Sequence, residues 1–219
     1  MIDGYRDGVW LVELAAVSRG DDVAKAGARV AESVGSSEAN EPGGVFEHLT
    51  RLVDKSLVQV DQSGPEARFR FLETVRQFLF ARLEASGEAT ATSARHMAHF
   101  LTLAEDLAPR LALSDGPDCL ARLQAEFHNL EGALSFAHAS LARNDLLRFV
   151  VALSLFYELR GHFALGWRWF ERALSLDGEP GVLRARALWG AAHVCFYGGR
   201  YPPNFYESAK FRGRYNLLI

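Results

Sequence analysis

Between Leu49 and Leu83 the period of the apolar positions changes twice. Leu49, Leu52 and Val53 recur at helical spacing, and the chain then alternates through Leu57-Val58-Gln59-Val60-Asp61, the mark of a strand with one buried face. A Ser63-Gly64-Pro65 turn follows. Phe69 and Phe71 then fall on one side, with Arg68, Arg70 and Leu72 on the other, before Val75, Phe78, Leu79 and Leu83 return to helical period. This order predicts an α-β-β-α unit of winged-helix type over residues 45–88.

Downstream the pattern is helical throughout. Met97, Phe100, Leu101, Ala104 and Leu107 give residues 94–113 one broad apolar face, with Pro109 near its end. After a breaker at Ser114-Asp115-Gly116-Pro117, residues 120–134 resume the same period. Three more helices are predicted over 144–160, 164–176 and 182–197, joined by short turns that imply antiparallel neighbours. Within them Tyr157, Gly161, Phe163, Gly166, Phe170 and Ala173 follow the spacing of a tetratricopeptide repeat, in which small residues allow close helix crossing and aromatics fill the groove. Cys195, Gly199 and Tyr201 begin a second copy, and Pro202-Pro203 interrupts it. An array broken off there should leave apolar surface exposed on its last helix.

Upstream, residues 7–14 read as a turn and a buried strand, and 21–34 as an amphipathic helix closed by Gly35. With its sheet missing, such a strand has unpaired backbone groups, so residues 1–44 are expected to be loosely held, with Trp10 and Leu11 docking on a neighbouring surface. An ordinary edge strand in a small mixed domain is the other reading.

Composition narrows the function. The 219 residues are 49% apolar with a net charge of −3, enough for a packed core. No stretch approaches the roughly 20 apolar residues needed to cross a bilayer, and Met1-Ile2-Asp3-Gly4 lacks the basic start of a secretory signal, so a cytoplasmic location is expected. Over residues 45–84 the six basic residues balance the six acidic ones, and the wing tip carries Asp61 and Glu66. Direct DNA contact is therefore not expected, because phosphate binding needs clustered cations. Cys119 and Cys195 stand apart and read as buried thiols.

Two segments carry a family likeness. Leu-Val-Asp-Lys-Ser-Leu-Val at 52–58 and Phe-Leu-Glu-Thr-Val-Arg-Gln at 71–77 resemble the winged-helix segment that follows the nucleotide-binding domain in bacterial STAND-class ATPases, especially large LuxR-type transcriptional regulators. Residues 120–134 resemble that family's linker, and 7–34 resemble a strand and helix that follow its phosphate-binding loop. The resemblance implies a mainly α chain: a remnant of the nucleotide-binding domain (1–35), a linker (36–44), the winged helix (45–88), a helical linker (89–141), tetratricopeptide-like repeats of an α-solenoid (142–201) and an irregular tail (202–219). In the family a Met-His-Asp tripeptide reads the nucleotide phosphate. Phe71, Leu72 and Glu73 occupy that position here, and leucine has no hydrogen to donate.

No GxxxxGK[ST] loop or metal-holding aspartate pair occurs, so neither enzymatic activity nor a cofactor is expected. His96 and His99 lie one helical turn apart without further ligands at metal spacing, and read as structural. The expected function is a regulatory protein-interaction module whose partner is a protein or peptide, such as a full-length related regulator. Candidate contact residues are Trp10, Leu11, Tyr157, Trp167, Trp169, Phe170, Arg168 and Arg172. An autonomous DNA- or nucleotide-binding regulator and a truncated product without independent activity are the alternatives.

Overall fold

The computed structural model describes residues 14–18, 52–61 and 66–199. Trp10, Leu11, the expected helix over 21–34, the linker and the tail with Pro202-Pro203 lie outside the described residues. The protein is mainly helical.

Three strands, β1 (Leu14–Ser18), β2 (Val58–Asp61) and β3 (Glu66–Phe71), form an antiparallel sheet in the order β1-β3-β2. The register explains the alternation in the sequence. Val58 pairs with Phe71, Gln59 with Arg70, Val60 with Phe69 and Asp61 with Arg68, so the apolar and polar positions of the two strands alternate in step. Of the strand expected at 9–14, only Leu14 is among the described residues. β1 begins at Leu14, where the expected one would end, and it pairs along β3 from Leu14↔Phe69 to Ser18↔Glu66 with an irregularity between Leu14 and Val17.

Among the described residues eight α-helices follow: α1 (Glu73–Ser86), α2 (Ala89–Leu107), α3 (Gly116–Ala125), α4 (Phe127–Ala139), α5 (Arg143–Ala152), α6 (Ser154–Leu159), α7 (Phe163–Ser175) and α8 (Val182–Tyr197). Three boundaries differ from those predicted, the first being that the run over 120–134 is split at Glu126 between α3 and α4. Pro117 does not separate helices but sits in the first turn of α3, where its missing N–H has no intrahelical partner to lose. The single helix expected over 144–160 is interrupted at Leu153. There the Ser154 hydroxyl donates to the Val151 carbonyl at 2.9 Å and competes with the backbone ladder.

α2 and α4 through α8 share one apolar core running from Met97 to Val194, continuous across Leu141. Phe100, Phe149, Phe156 and Phe170 are its largest fully buried apolar side chains, each contributing roughly 2 kcal/mol by transfer from water. Polar ties fix the helices around it. Arg148 on α5 grips both carboxylate oxygens of Glu105 on α2, at 2.8 and 2.6 Å, and also Asp145. Arg184, buried in the first turn of α8, donates to the Leu174 and Leu176 carbonyls at 2.7 and 3.3 Å and so closes the C-terminal end of α7. Arg184→Ala strands those carbonyls, and a loss of about 2 kcal/mol in urea-unfolding free energy is expected.

The helix turns repeat one geometry. Gly161 (φ 68°) and Gly199 (φ 59°) both enter the left-handed region, and so does Leu141 (φ 54°). At Leu141 the Ala142 N–H bonds the Ala137 carbonyl at 2.9 Å, and at Gly161 the His162 N–H bonds Tyr157 at 2.8 Å, the same closure. A leucine there carries Cβ strain worth about 1–2 kcal/mol, and its side chain is 69% exposed. Leu141→Gly should therefore stabilise the protein by up to about 1 kcal/mol once the unfolded-state entropy of glycine is subtracted, read as a raised Tm.

Candidate interaction surface

Most of the aromatic residues singled out from the sequence are inside the protein. Tyr157, Trp169 and Phe170 are buried, which corrects the expectation that they meet a partner. Tyr157 and Phe170 each fill a place that a missing side chain leaves open. A Cβ on Gly166 would lie 2.9 Å from the Tyr157 ring, and one on Gly190 would lie 2.8 Å from Phe170, so the two glycines let α7 and α8 approach their neighbours closely. The Trp169 indole N–H donates to Glu131 at 3.1 Å, and the Arg172 guanidinium stands 4.8 Å from the Trp169 ring. Burial, with the nearby Glu131 carboxylate second, holds the Tyr157 hydroxyl well above its ordinary pKa. Trp167 is half-buried against the core, while Arg168 and Arg172 are exposed on α7.

Three exposed aromatics lie together on α8. Trp189 is 65% exposed, Phe196 65% and Tyr197 53%, and Val182 continues the same side at the start of the helix. Val182, Arg186, Trp189, His193 and Phe196 are separated by three or four residues, so they form one stripe. The rings are in contact along it. Trp189 and His193 centroids are 4.0 Å apart, His193 and Tyr197 5.6 Å, and Phe196 meets Tyr197 edge-on at 5.3 Å. His193 Nδ1 lies 3.7 Å from a Glu158 carboxylate oxygen, which anchors the middle of the stripe. The opposite side of α8, with Ala187, Ala191 and Val194, is in the core. The signal for this surface was in the sequence as a helix apolar on every side.

Two smaller features lie elsewhere. On α1, Phe78 and Leu79 are exposed, with Arg82 beside the Phe78 ring at 6.0 Å, and exposed Leu72 precedes the helix. Of the expected nucleotide-sensor position, half-buried Phe71 ends β3, Leu72 faces solvent and Glu73 opens α1. A shallow groove of about 490 Å³ between α2 and α3 is lined by Arg95, His99, Thr102, Asp106 and Arg122 among others. His99 titrates below its usual range, from burial first and the Arg122 charge second. Among the described residues no group of three or more His, Cys, Asp or Glu could hold a metal ion. Cys119 and Cys195 are buried free thiols, and burial pushes Cys195 up to about 11. No helix among the described residues is long and apolar enough to cross a membrane.

Comparison with known proteins places the chain beside bacterial regulators. It is 33% identical over 153 residues to proteins of Mycobacterium bovis and Mycobacterium tuberculosis named "Putative HTH-type transcriptional regulator". The match covers 68% of this chain but 17% of theirs, so the chain spans about a sixth of those relatives. Uncharacterized proteins from the same two species are 38% identical over 72 residues, 32% of this chain and 18% of theirs. No protein-family model and no solved structure matches it.

Proposed function

We propose that this chain is a non-enzymatic regulatory module that works by binding another protein, and that it corresponds to the winged-helix and repeat segments of a STAND-class, LuxR-type transcriptional regulator. The observation that carries the reading is α8, a helix apolar on both its core side and its solvent side at the end of the described helices. The likeness to HTH-type regulators supports the regulatory part. The antiparallel β2-β3 pair followed by α1 supports the winged helix, and the matched turns at Gly161 and Gly199 with their glycine notches support the repeats. Trp189, Phe196 and Tyr197 are the contact residues in this reading. The partner is a protein or peptide with an apolar helical face, such as a related full-length regulator. The chain has no phosphate-binding motif and a leucine at the nucleotide-sensor position, which supports switching without hydrolysis.

Calorimetric titration of the full chain separates this from a nucleotide-driven regulator. The expected result is no heat with ATP and magnesium, and saturable heat with a related full-length regulator that Phe196→Glu removes. Micromolar ATP affinity, or regulator binding indifferent to Phe196→Glu, would sink the proposal.

A further inference from the structure

We propose that the partner for α8 is α8 of a second copy, packed antiparallel across a twofold axis near Ala192. The inference rests on the interaction-surface reading above and names its occupant. The stripe of Val182, Arg186, Trp189, His193, Phe196 and Tyr197 has an apolar and aromatic body and a permanent cation near its N-terminal end; α8 contains neither Asp nor Glu, and Glu158, the carboxylate that reaches the stripe, stands 3.7 Å from His193 at its middle. Its partner must therefore offer rings for the aromatics and negative potential for Arg186. The C-terminal end of α8 supplies both. Phe196 and Tyr197 present π faces, and the last carbonyls of the helix carry the negative end of its dipole.

Antiparallel pairing brings these ends together. Arg186 and Tyr197 are about 16 Å apart along the helix, equidistant from the axis, so each arginine meets the other copy's Tyr197. Trp189 falls level with residue 194 of the other copy, beside that copy's His193, and the two helix dipoles oppose. The same device is already used within the chain. Arg184, two residues away on the core side, reaches the C-terminal carbonyls of α7. Arg186 does for a neighbouring copy what Arg184 does for α7. Three aromatics, each offering roughly 150–250 Å² and more than half exposed, give an interface of about 800 Å² in total, at the weak end for specific association. A dissociation constant on the order of 10–100 μM is expected.

Sedimentation velocity of the full chain from 5 to 300 μM tests the pairing, with circular dichroism confirming that each variant is folded. Wild type should shift from monomer to dimer, Phe196→Glu should remain monomeric, and Arg186→Glu should raise the dissociation constant about tenfold. Under mild oxidation His193→Cys should give a disulfide-linked dimer, because it lies near the axis, and Val182→Cys should not. A wild type monomeric at 300 μM, a dimer unaffected by Phe196→Glu, or efficient cross-linking through Val182→Cys would overturn the antiparallel pairing. A monomer that still binds a related regulator through Phe196 would leave the interaction module standing and remove the self-association, whereas a monomer that binds no regulator would remove both.

Discussion

Gly166→Val is expected to destabilise the protein by about 3 kcal/mol or more, enough to unfold a marginally stable domain at 37 °C. A Cβ at this position would sit 2.9–3.0 Å from Cγ, Cβ and Cδ2 of Tyr157. That ring is fully buried beside Phe156, their centroids 5.9 Å apart, so it has no free volume into which to turn. Two effects oppose each other when glycine is replaced in a helix. The helical propensity of alanine returns about 1 kcal/mol, and overpacking removes about 1–3 kcal/mol. With the obstacle a buried ring, overpacking wins, so even Gly166→Ala should lose stability. Gly190→Ala should do the same against Phe170. Gly181→Ala is the control, because nothing lies within 4 Å of its Cβ and its backbone is extended. Urea melts of the four variants decide the matter. If Gly166→Ala proved as stable as Gly181→Ala, α6 and α7 would not be in close contact at Tyr157.

Acidification from pH 7 to 4.5 should cost about 2–3 kcal/mol of stability through one side chain, His96. It is buried on α2, and burial drives its pKa from 6.5 down to about 3, against a smaller opposing hydrogen bond with Asn129 and a minor push in the same direction from His99. The folded state therefore binds fewer protons than the unfolded chain between about pH 6.5 and 3. Unfolding free energy must fall as pH falls through that window, and be fully present above it. His99, lowered in the same sense, adds to the slope. Glu126 and Asn129 share the site, joined at 2.7 Å from the amide to the carboxylate, so His96→Leu loses some stability at every pH. The diagnostic quantity is the slope of stability against pH, which His96→Leu should flatten. An NMR titration gives an independent check: the His96 ring should keep its neutral shift down to pH 4, and a midpoint near 6 would refute the assignment.

The helices were legible because their apolar stripes are long. Phe100, Leu101, Ala104 and Leu107 recur at a period that no strand could satisfy, and all four are in the core. The β2-β3 pair was legible for the same reason, since Val58 and Val60 alternate with polar residues and fall in register with Phe71 and Phe69. What escaped depends on contacts distant in sequence. β1 is placed by its pairing with β3, which no local window contains. The interruption at Leu153 escaped because leucine and serine both tolerate helices and a single side-chain hydrogen bond tips the balance.

The candidate surface shows a second limit. Trp169 and Trp189 are chemically identical, but one faces a core and the other solvent. The glycine spacing carried the missing information. Gly166 and Gly190 mark where α7 and α8 are pressed against neighbours, and Trp169 and Phe170, three and four residues after Gly166, share its side of α7. The aromatics at Tyr157, Trp169 and Phe170 belong to the pressed sides. Trp189, Phe196 and Tyr197 are exposed.

β1 gives the sheet a role in solubility. Its five residues occupy one edge of β3, whose backbone donors and acceptors would otherwise be open to any passing strand. A chain begun after Ser18 would keep the helical core and lose that guard. Its melting temperature would change little, while light scattering would grow with concentration and time as uncovered edges found one another. The first segment of the chain is thus a chaperone for the second, holding the place that a foreign strand would take.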